Sequence, residues 1–315
     1  MVAPMRALIA GATGFVGSRL APALVEDGFE VRCLVRDPGA GPARALERAG
    51  CELFCEDLTR PRDLPRAMED VEVGYYLVHL IGSGEEYGRR EVAIARLFAS
   101  AAKGAGLGRM IYLGGLGDDE ASPHLRSRHA TALALRRHGP PLTYFRAAMV
   151  VGAGSASYQL VRDVALRLRA VPDPRWMRTR TQPIGVRDAI SYLRQAPKVP
   201  ASADMEIEIG GPEVLTPLEV VDRMAAALGR RQPTRLSVPG ATPGAVAAGA
   251  DAIARADADG AVAAELALGL SCDTVVTDSS AAELFDVEPE SLDVALQRAI
   301  EGEERREEAE SAQKR

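Results

Sequence analysis

The sequence predicts an α/β fold, a doubly wound parallel sheet followed by a smaller C-terminal region. Three observations lead there. Short apolar runs alternate with amphipathic stretches through the first half, the pattern of parallel strands covered by helices. A glycine-rich segment, GATGFVG, closes the first apolar run and opens the first amphipathic one. The 315 residues, 47% hydrophobic and 26% charged, suit one large buried core and exclude disorder over most of the length.

Taken in order, strands are expected at 6–10 (RALIA), 30–36 (EVRCLVR), 51–56 (CELFCE), 73–79 (VGYYLVH), 109–114 (RMIYLG) and 142–150 (LTYFRAAMV). Helices fall between them near 15–27, 42–49, 64–69, 86–105 and 122–138. Gly28, Gly50 and Gly139 stand where C-terminal caps stand. Right-handed crossovers then place a ligand crevice at the carboxyl ends of the strands. Residues 1–152 form this core. Residues 153–300 read as a helix at 155–170, a Pro-rich turn, a strand near 179–185, a helix at 187–196, a strand at 205–210 and a helix at 216–229. They are expected to extend the sheet and build a binding region. The Ala-rich stretch 241–270 reads as two short helices turning near Asp259-Gly260, either a lid or a packed hairpin. The charged segment 301–315 is expected to fray in water.

Composition narrows the function classes. A net charge of −6 with scattered Lys and Arg argues against a nucleic-acid surface. Cys33, Cys51, Cys55 and Cys272 form no C-x-x-C pair and read as reduced core residues, so no metal is expected. The chain enters a strand directly, and no run approaches about 18 apolar residues. A cytoplasmic protein without a membrane partner is expected.

Gly11, Gly14 and Gly17 carry the clearest chemistry. They sit between strand and helix, where glycines permit a tight turn, close approach of backbone to a pyrophosphate, and helix packing. Thr13 and Phe15 add backbone N–H groups. The sheet is thus Rossmann-type, with a bound dinucleotide. Arg36 ends the second strand, where a guanidinium can hold a 2′-phosphate, so NADPH is expected over NADH despite the neighbouring Asp37. Asp57 and Leu58 are assigned to the adenine edge. Leu77, Val78 and His79 close the fourth strand and join the cofactor groove.

GATGFVG, the Arg36 strand end, Asp57-Leu58 and RAAMVVGAGS together resemble the short-chain dehydrogenase/reductase superfamily. YLVH, HLRSRHATALALR, RAAMVVGAGSASY, PRWMRTRTQPI and GGPEVLT are similar to its atypical, NmrA-like branch over about residues 5–235. The superfamily's catalytic members carry a Ser after the fifth strand and a Tyr-x-x-x-Lys pair on the next helix. Here the corresponding positions are Leu113-Gly114-Gly115-Leu116, Leu125 and His129, so the usual acid catalysis is not available from them.

The resemblance therefore implies two readings. One is an NADPH-dependent reductase of a ketone or quinone-type carbonyl, similar to aromatic-polyketide ketoreductases of antibiotic biosynthesis. Its proton would come from substrate, water or a nonstandard residue. The other is a catalytically silent NADP-binding redox sensor. His79, His129 and Tyr87 are the catalytic candidates. Gly114, His129, Ala147 and Ala148 are placed near the nicotinamide, and Ser83, Tyr87, Tyr158, Trp176 and Arg180 near a small-molecule substrate. Glu86 reads as a helix-start charge. His124, His138, Arg162, Arg167 and Arg169 are expected to face water. A monomer or weak dimer is expected.

Overall fold

The computed structural model describes residues 4–79, 85–118, 122–238, 240–246 and 266–313. The first half alternates strands and helices as expected: β1 (Arg6–Ala10), α1 (Gly17–Glu26), β2 (Glu30–Val35), α2 (Gly41–Arg48), β3 (Glu52–Cys55), α3 (Leu64–Ala67), β4 (Val73–Tyr76), α4 (Glu85–Gly104), β5 (Arg109–Gly115), α5 (Pro123–His138) and β6 (Leu142–Ala147). The second half adds β7 (Val150–Val151), α6 (Ala156–Arg167), β8 (Ala170–Asp173), β9 (Ile184–Gly185), α7 (Val186–Gln195), β10 (Glu206–Ile209), α8 (Pro217–Ala227), β11 (Thr234–Ser237), α9 (Ser280–Leu284) and α10 (Leu292–Gln313).

Seven strands form one sheet in the order β10-β6-β5-β4-β1-β2-β3, and every pairing in it is parallel. β1 lies inside it with Ala7, Leu8, Ile9 and Ala10 wholly buried, because an unbroken apolar run suits a strand covered on both faces. Successive side chains point to opposite faces. Ala7 and Ile9 join Leu20, Leu24, Tyr75, Phe145 and Leu193 in one core. Leu8 and Ala10 join Tyr76, Phe98, Tyr112, Leu135 and Tyr144 in the other. From β1 the chain runs to β2 and β3 on one side and then returns to β4 on the other. The strand order thus reverses between β1 and β4, where such sheets open a ligand crevice.

The second half extends the sheet through β10, whose Glu206 lies opposite Tyr144 and Ile209 opposite Ala147. Only Ile184–Gly185 of the expected 179–185 strand is a strand, paired with β7. Thr181 instead makes isolated bridges to Leu215 and Thr274. Gly28 and Gly50 have the left-handed backbone of a cap, but Gly139 does not. A Cβ at Gly139 would fall 2.1 Å from Met110 Cε, so helix-to-strand contact explains that glycine.

Residues 301–313 are the second half of α10, where a frayed tail was expected. Leu292, Ala295, Leu296 and Ala299 form a buried stripe against Tyr158, Val221 and Met224. An i, i+3, i+4 spacing of this kind docks a helix, and docking carries its charged continuation with it. Cys33 and Cys51 are buried, Cys55 is exposed on the edge strand β3, and all four cysteines are free. Among the described residues no helix is long and apolar enough to cross a membrane.

Candidate functional site

The site begins at Gly11, directly after β1. Its φ is +85°, and a Cβ there would lie 2.5 Å from the Leu77 carbonyl oxygen. Only glycine meets both conditions. The Gly14 N–H donates to Gly11 O at 3.0 Å and closes the turn. A Cβ on Gly17 would stand 2.2 Å from that same oxygen, so α1 starts in contact with the loop. The N–H groups of Thr13 and Phe15 have no acceptor among the described residues, and the first turn of α1 holds no acidic side chain. Free amides at the positive end of a helix fit an anion such as a pyrophosphate. Arg19, one turn along α1, donates to Phe15 O and to Ala153 O at 2.6 Å each. Its guanidinium lies 4.6 Å from the Phe15 ring centroid. Sequence reading missed it, although Phe15 and Arg19 are spaced i, i+4.

Arg36 is exposed just past β2. The Asp37 carboxylate accepts the Gly39 N–H at 2.8 Å within its own turn. Asp57 accepts the Thr59 N–H at 2.9 Å and its hydroxyl at 2.8 Å. These bonds hold its carboxyl below the usual range, with help from the charges of Arg36 and Arg60. Leu58, expected at an adenine edge, is 9% exposed and packs with Leu34 and Leu64. It serves chiefly as the floor of that corner.

Leu77 continues β4 by donating its N–H to Ala10 O at 2.9 Å. Leu77 and Val78 are partly buried against opposite cores. His79 comes next, with Nδ1 2.8 Å from Glu91 Oε1 of α4. Ser127 of α5 donates to Glu91 Oε2 at 2.5 Å. The His124 ring stands edge-on to His79 at 4.9 Å. The Glu91 side chain is 3% exposed and that of His79 24%. Burial and the Arg128 charge lower the His79 pKa, partly offset by Glu91. Burial opposes ionisation of Glu91, but His79, Arg128 and Ser127 together bring it below its ordinary value. His124 is pushed down to about 3, by burial first and then by Arg128 and His79. At neutral pH the cluster therefore holds neutral imidazoles and one carboxylate.

Beside this cluster, the glycines of β5 answer to packing. A Cβ on Gly114 would meet the Tyr144 ring at 2.6 Å, and one on Gly115 would meet Leu125 Cδ2 at 2.7 Å. Tyr144 and Tyr112 stack with centroids 5.3 Å apart. Leu125, where the superfamily's tyrosine would stand, is 9% exposed against this floor. His129, one turn further on α5, is partly buried. Ala147 lies in the core and Ala148 is half-buried at the end of β6.

Residues 5–233 match the model of the NmrA-like family. The chain belongs to the NmrA-like family. This NmrA-like protein is 31% identical to Ceramide reductase of Caulobacter vibrioides over 247 residues, covering 77% of this chain and 75% of that protein. It is 25% identical to NAD(P)H azoreductase of Xenophilus azovorans over 227 residues, 71% and 74% of the two chains. An NADPH-dependent quinone oxidoreductase from Escherichia coli has the same fold, with TM-score 0.72 at 18% identity over 93% of this chain and 98% of that one. These relatives place the NmrA-like protein among NAD(P)H-dependent oxidoreductases.

Three substrate candidates of this NmrA-like protein are occupied elsewhere. Tyr158 is wholly buried and donates its hydroxyl to Glu303 at 3.1 Å, which sets it inside the α6, α8 and α10 core. Trp176 donates Nε1–H to Ala241 O at 2.8 Å and anchors the 241–246 segment. Arg180 meets Asp273 through Nε at 3.0 Å and Nη2 at 2.7 Å. His124 turns to His79 instead of water, and Arg162 pairs with Glu303 at 2.9 Å. Arg167 pairs with Asp163 at 3.4 Å. Ser83 and the 247–265 part of the expected lid lie outside the described residues, as does the Tyr87 side chain at the start of α4. Sequence reading also missed Glu91, Ser127 and Arg128. Their signal was spacing: Glu91 stands one turn before buried Ile94 and Ala95 on α4, and Ser127 and Arg128 stand one turn before buried Thr131 and Ala132 on α5.

Proposed function

We propose that this chain is an NADPH-preferring reductase of a ketone or quinone-type carbonyl, working without the Tyr-Lys pair of its superfamily. The observation that carries the reading is the free Thr13 and Phe15 amides at the start of α1, reached by the same strand ends that present His79. Bound there, a reduced nicotinamide supplies the hydride. The chain's own part is to hold and orient. The loop amides take the pyrophosphate, Arg36 faces the 2′-phosphate, and Gly114, Ala147, Ala148 and His129 border the nicotinamide end. Orientation is a large share of what an activated carbonyl needs. Relatives named for ceramide and azo substrates favour a substrate with a large apolar or aromatic body, an aromatic polyketide among the options. A cytoplasmic monomer or weak dimer fits the same reading.

The second reading, a silent NADP sensor, is favoured by Leu125 packed on Gly115 where an acid would stand. One experiment separates them. Purified protein is titrated with NADPH and NADH, then mixed with quinones and aromatic ketones while the reduced-nicotinamide absorbance is followed. Tighter binding of NADPH with substrate-dependent oxidation supports the reductase. Binding without turnover across the panel supports the sensor.

A further inference from the structure

We infer that His79 passes the proton to and from the substrate oxygen, with Glu91 and Ser127 as the positioning residues behind it. The inference rests on the reductase reading above.

Place is the first argument. Leu77 and Val78 lie against Gly11 of the phosphate loop, so His79 leaves the sheet where the strand order reverses between β1 and β4. Its side chain is 24% exposed where the Glu91 side chain behind it is 3% exposed.

Orientation is the second. Nδ1 is committed to Glu91 Oε1 at 2.8 Å, leaving Nε2 as the ring nitrogen that can meet a substrate. Ser127 holds the second carboxylate oxygen at 2.5 Å, so Glu91 cannot rotate without losing a bond. The segment that leaves β4, α4 and α5 each contribute one member. A histidine steadied on one nitrogen by a buried carboxylate is a common arrangement for moving protons on the other.

Charge is the third. Among the described residues, the titratable and charged groups around the His79–Glu91 pair are His124, Ser127 and Arg128 from α5, Tyr76 from β4, and Tyr112 of β5 behind Arg128. Glu91 is ionised at neutral pH and accepts, so Nδ1 carries the hydrogen and Nε2 a lone pair. For reduction Nε2 first takes a proton from solvent, and Glu91 stabilises the imidazolium. The carbonyl carbon then receives the hydride, the C=O π pair moves to oxygen, and that oxygen takes the Nε2 proton. The product is an alcohol, with neutral imidazole and oxidised cofactor. For a quinone the hydride goes instead to one carbonyl oxygen, the ring π electrons shift to the other, and that oxygen takes the Nε2 proton to give a hydroquinone. In the reverse direction Nε2 accepts the hydroxyl proton. Because the imidazolium is the reducing form, reduction slows as pH rises through the His79 pKa while alcohol oxidation quickens.

The test combines kinetics with histidine Cε1–H NMR titration of the protein alone, in the wild type and the variants His79→Gln, Glu91→Gln and Ser127→Ala. The chain has four histidines, and His79→Gln assigns the resonance. His79→Gln should lower kcat roughly 100-fold or more, with NADPH affinity and melting temperature retained. Glu91→Gln removes the supporting charge and should shift both the His79 titration and the reduction profile to lower pH. Ser127→Ala leaves Glu91 more basic and should shift both to higher pH. A purely structural network would not move catalysis and titration together in opposite directions. If His79→Gln, folded and binding NADPH, keeps kcat within about threefold, the inference is overturned while the reductase stands. If the wild type binds NADPH but reduces nothing in the panel, the reductase reading falls and this inference falls with it.

Discussion

Gly11 shows what one residue can decide. Its left-handed backbone and its nearness to Leu77 O leave no room for a side chain. Gly11→Ala should cost roughly 1–3 kcal/mol of stability and most of the NADPH affinity, read by thermal melting and fluorescence titration. If Arg36 holds the 2′-phosphate as proposed, Arg36→Ser should weaken NADPH roughly tenfold while leaving NADH unchanged, the size of one lost guanidinium–phosphate contact. Equal losses for both cofactors would remove Arg36 from the 2′-phosphate. Tyr158→Phe gives up a buried hydroxyl bonded to a carboxylate, costing roughly 1.5–3 kcal/mol with turnover intact. A fall in kcat at unchanged cofactor affinity would restore Tyr158 to the substrate side. At this scale the sequence was readable where backbone geometry is local, as in the turn and close contacts of the three loop glycines. It singled out His79 but was silent on Glu91, which meets His79 only because α4 packs beside β4 and α5. Tyr158 misled for the same reason, since its partner Glu303 lies 145 positions away.

Elements were more legible. Apolar periodicity located all six strands and five helices of the first half to within a few residues, because each buries its own stripe. It failed on α10, whose second half is rich in charge and is held by a docked first half together with Glu303 on Tyr158 and Arg162. A chain ending at residue 300 would lose Glu303, the partner of both Tyr158 and Arg162. It should melt several degrees lower, and a truncation with unchanged melting would make 301–313 dispensable. The 179–185 stretch failed differently. Thr181 bonds to Leu215 on one side and Thr274 on the other, and such distant partners leave no periodic trace.

For the whole molecule, acid should loosen a specific clamp. Arg194 of α7 holds Asp27, just beyond α1, at 2.9 and 2.5 Å, and the Asp27 carboxyl is lowered from 3.8 chiefly by that bond. A depressed carboxylate contributes stability above its unfolded pKa and loses it as pH falls through the folded value. Asp27→Asn should therefore unfold about 1 kcal/mol more easily in urea at pH 7. The gap from wild type should close progressively below pH 3.8. A gap that persists unchanged in acid would mean the pair contributes nothing through its charge.

The seventh strand has a further consequence for the chain as it is made. β10 seats its residues 206–209 beside β6 at 144–147, so a ribosome that has released only the first 150 residues has produced a sheet whose β6 margin is still unpaired. Tyr144 through Ala147 then expose a ladder of N–H and C=O groups beside apolar side chains, an invitation to pair with a neighbouring nascent chain. Synthesis must run some sixty residues further before β10 covers the β6 margin, and in that interval the margin is open to a neighbouring nascent chain.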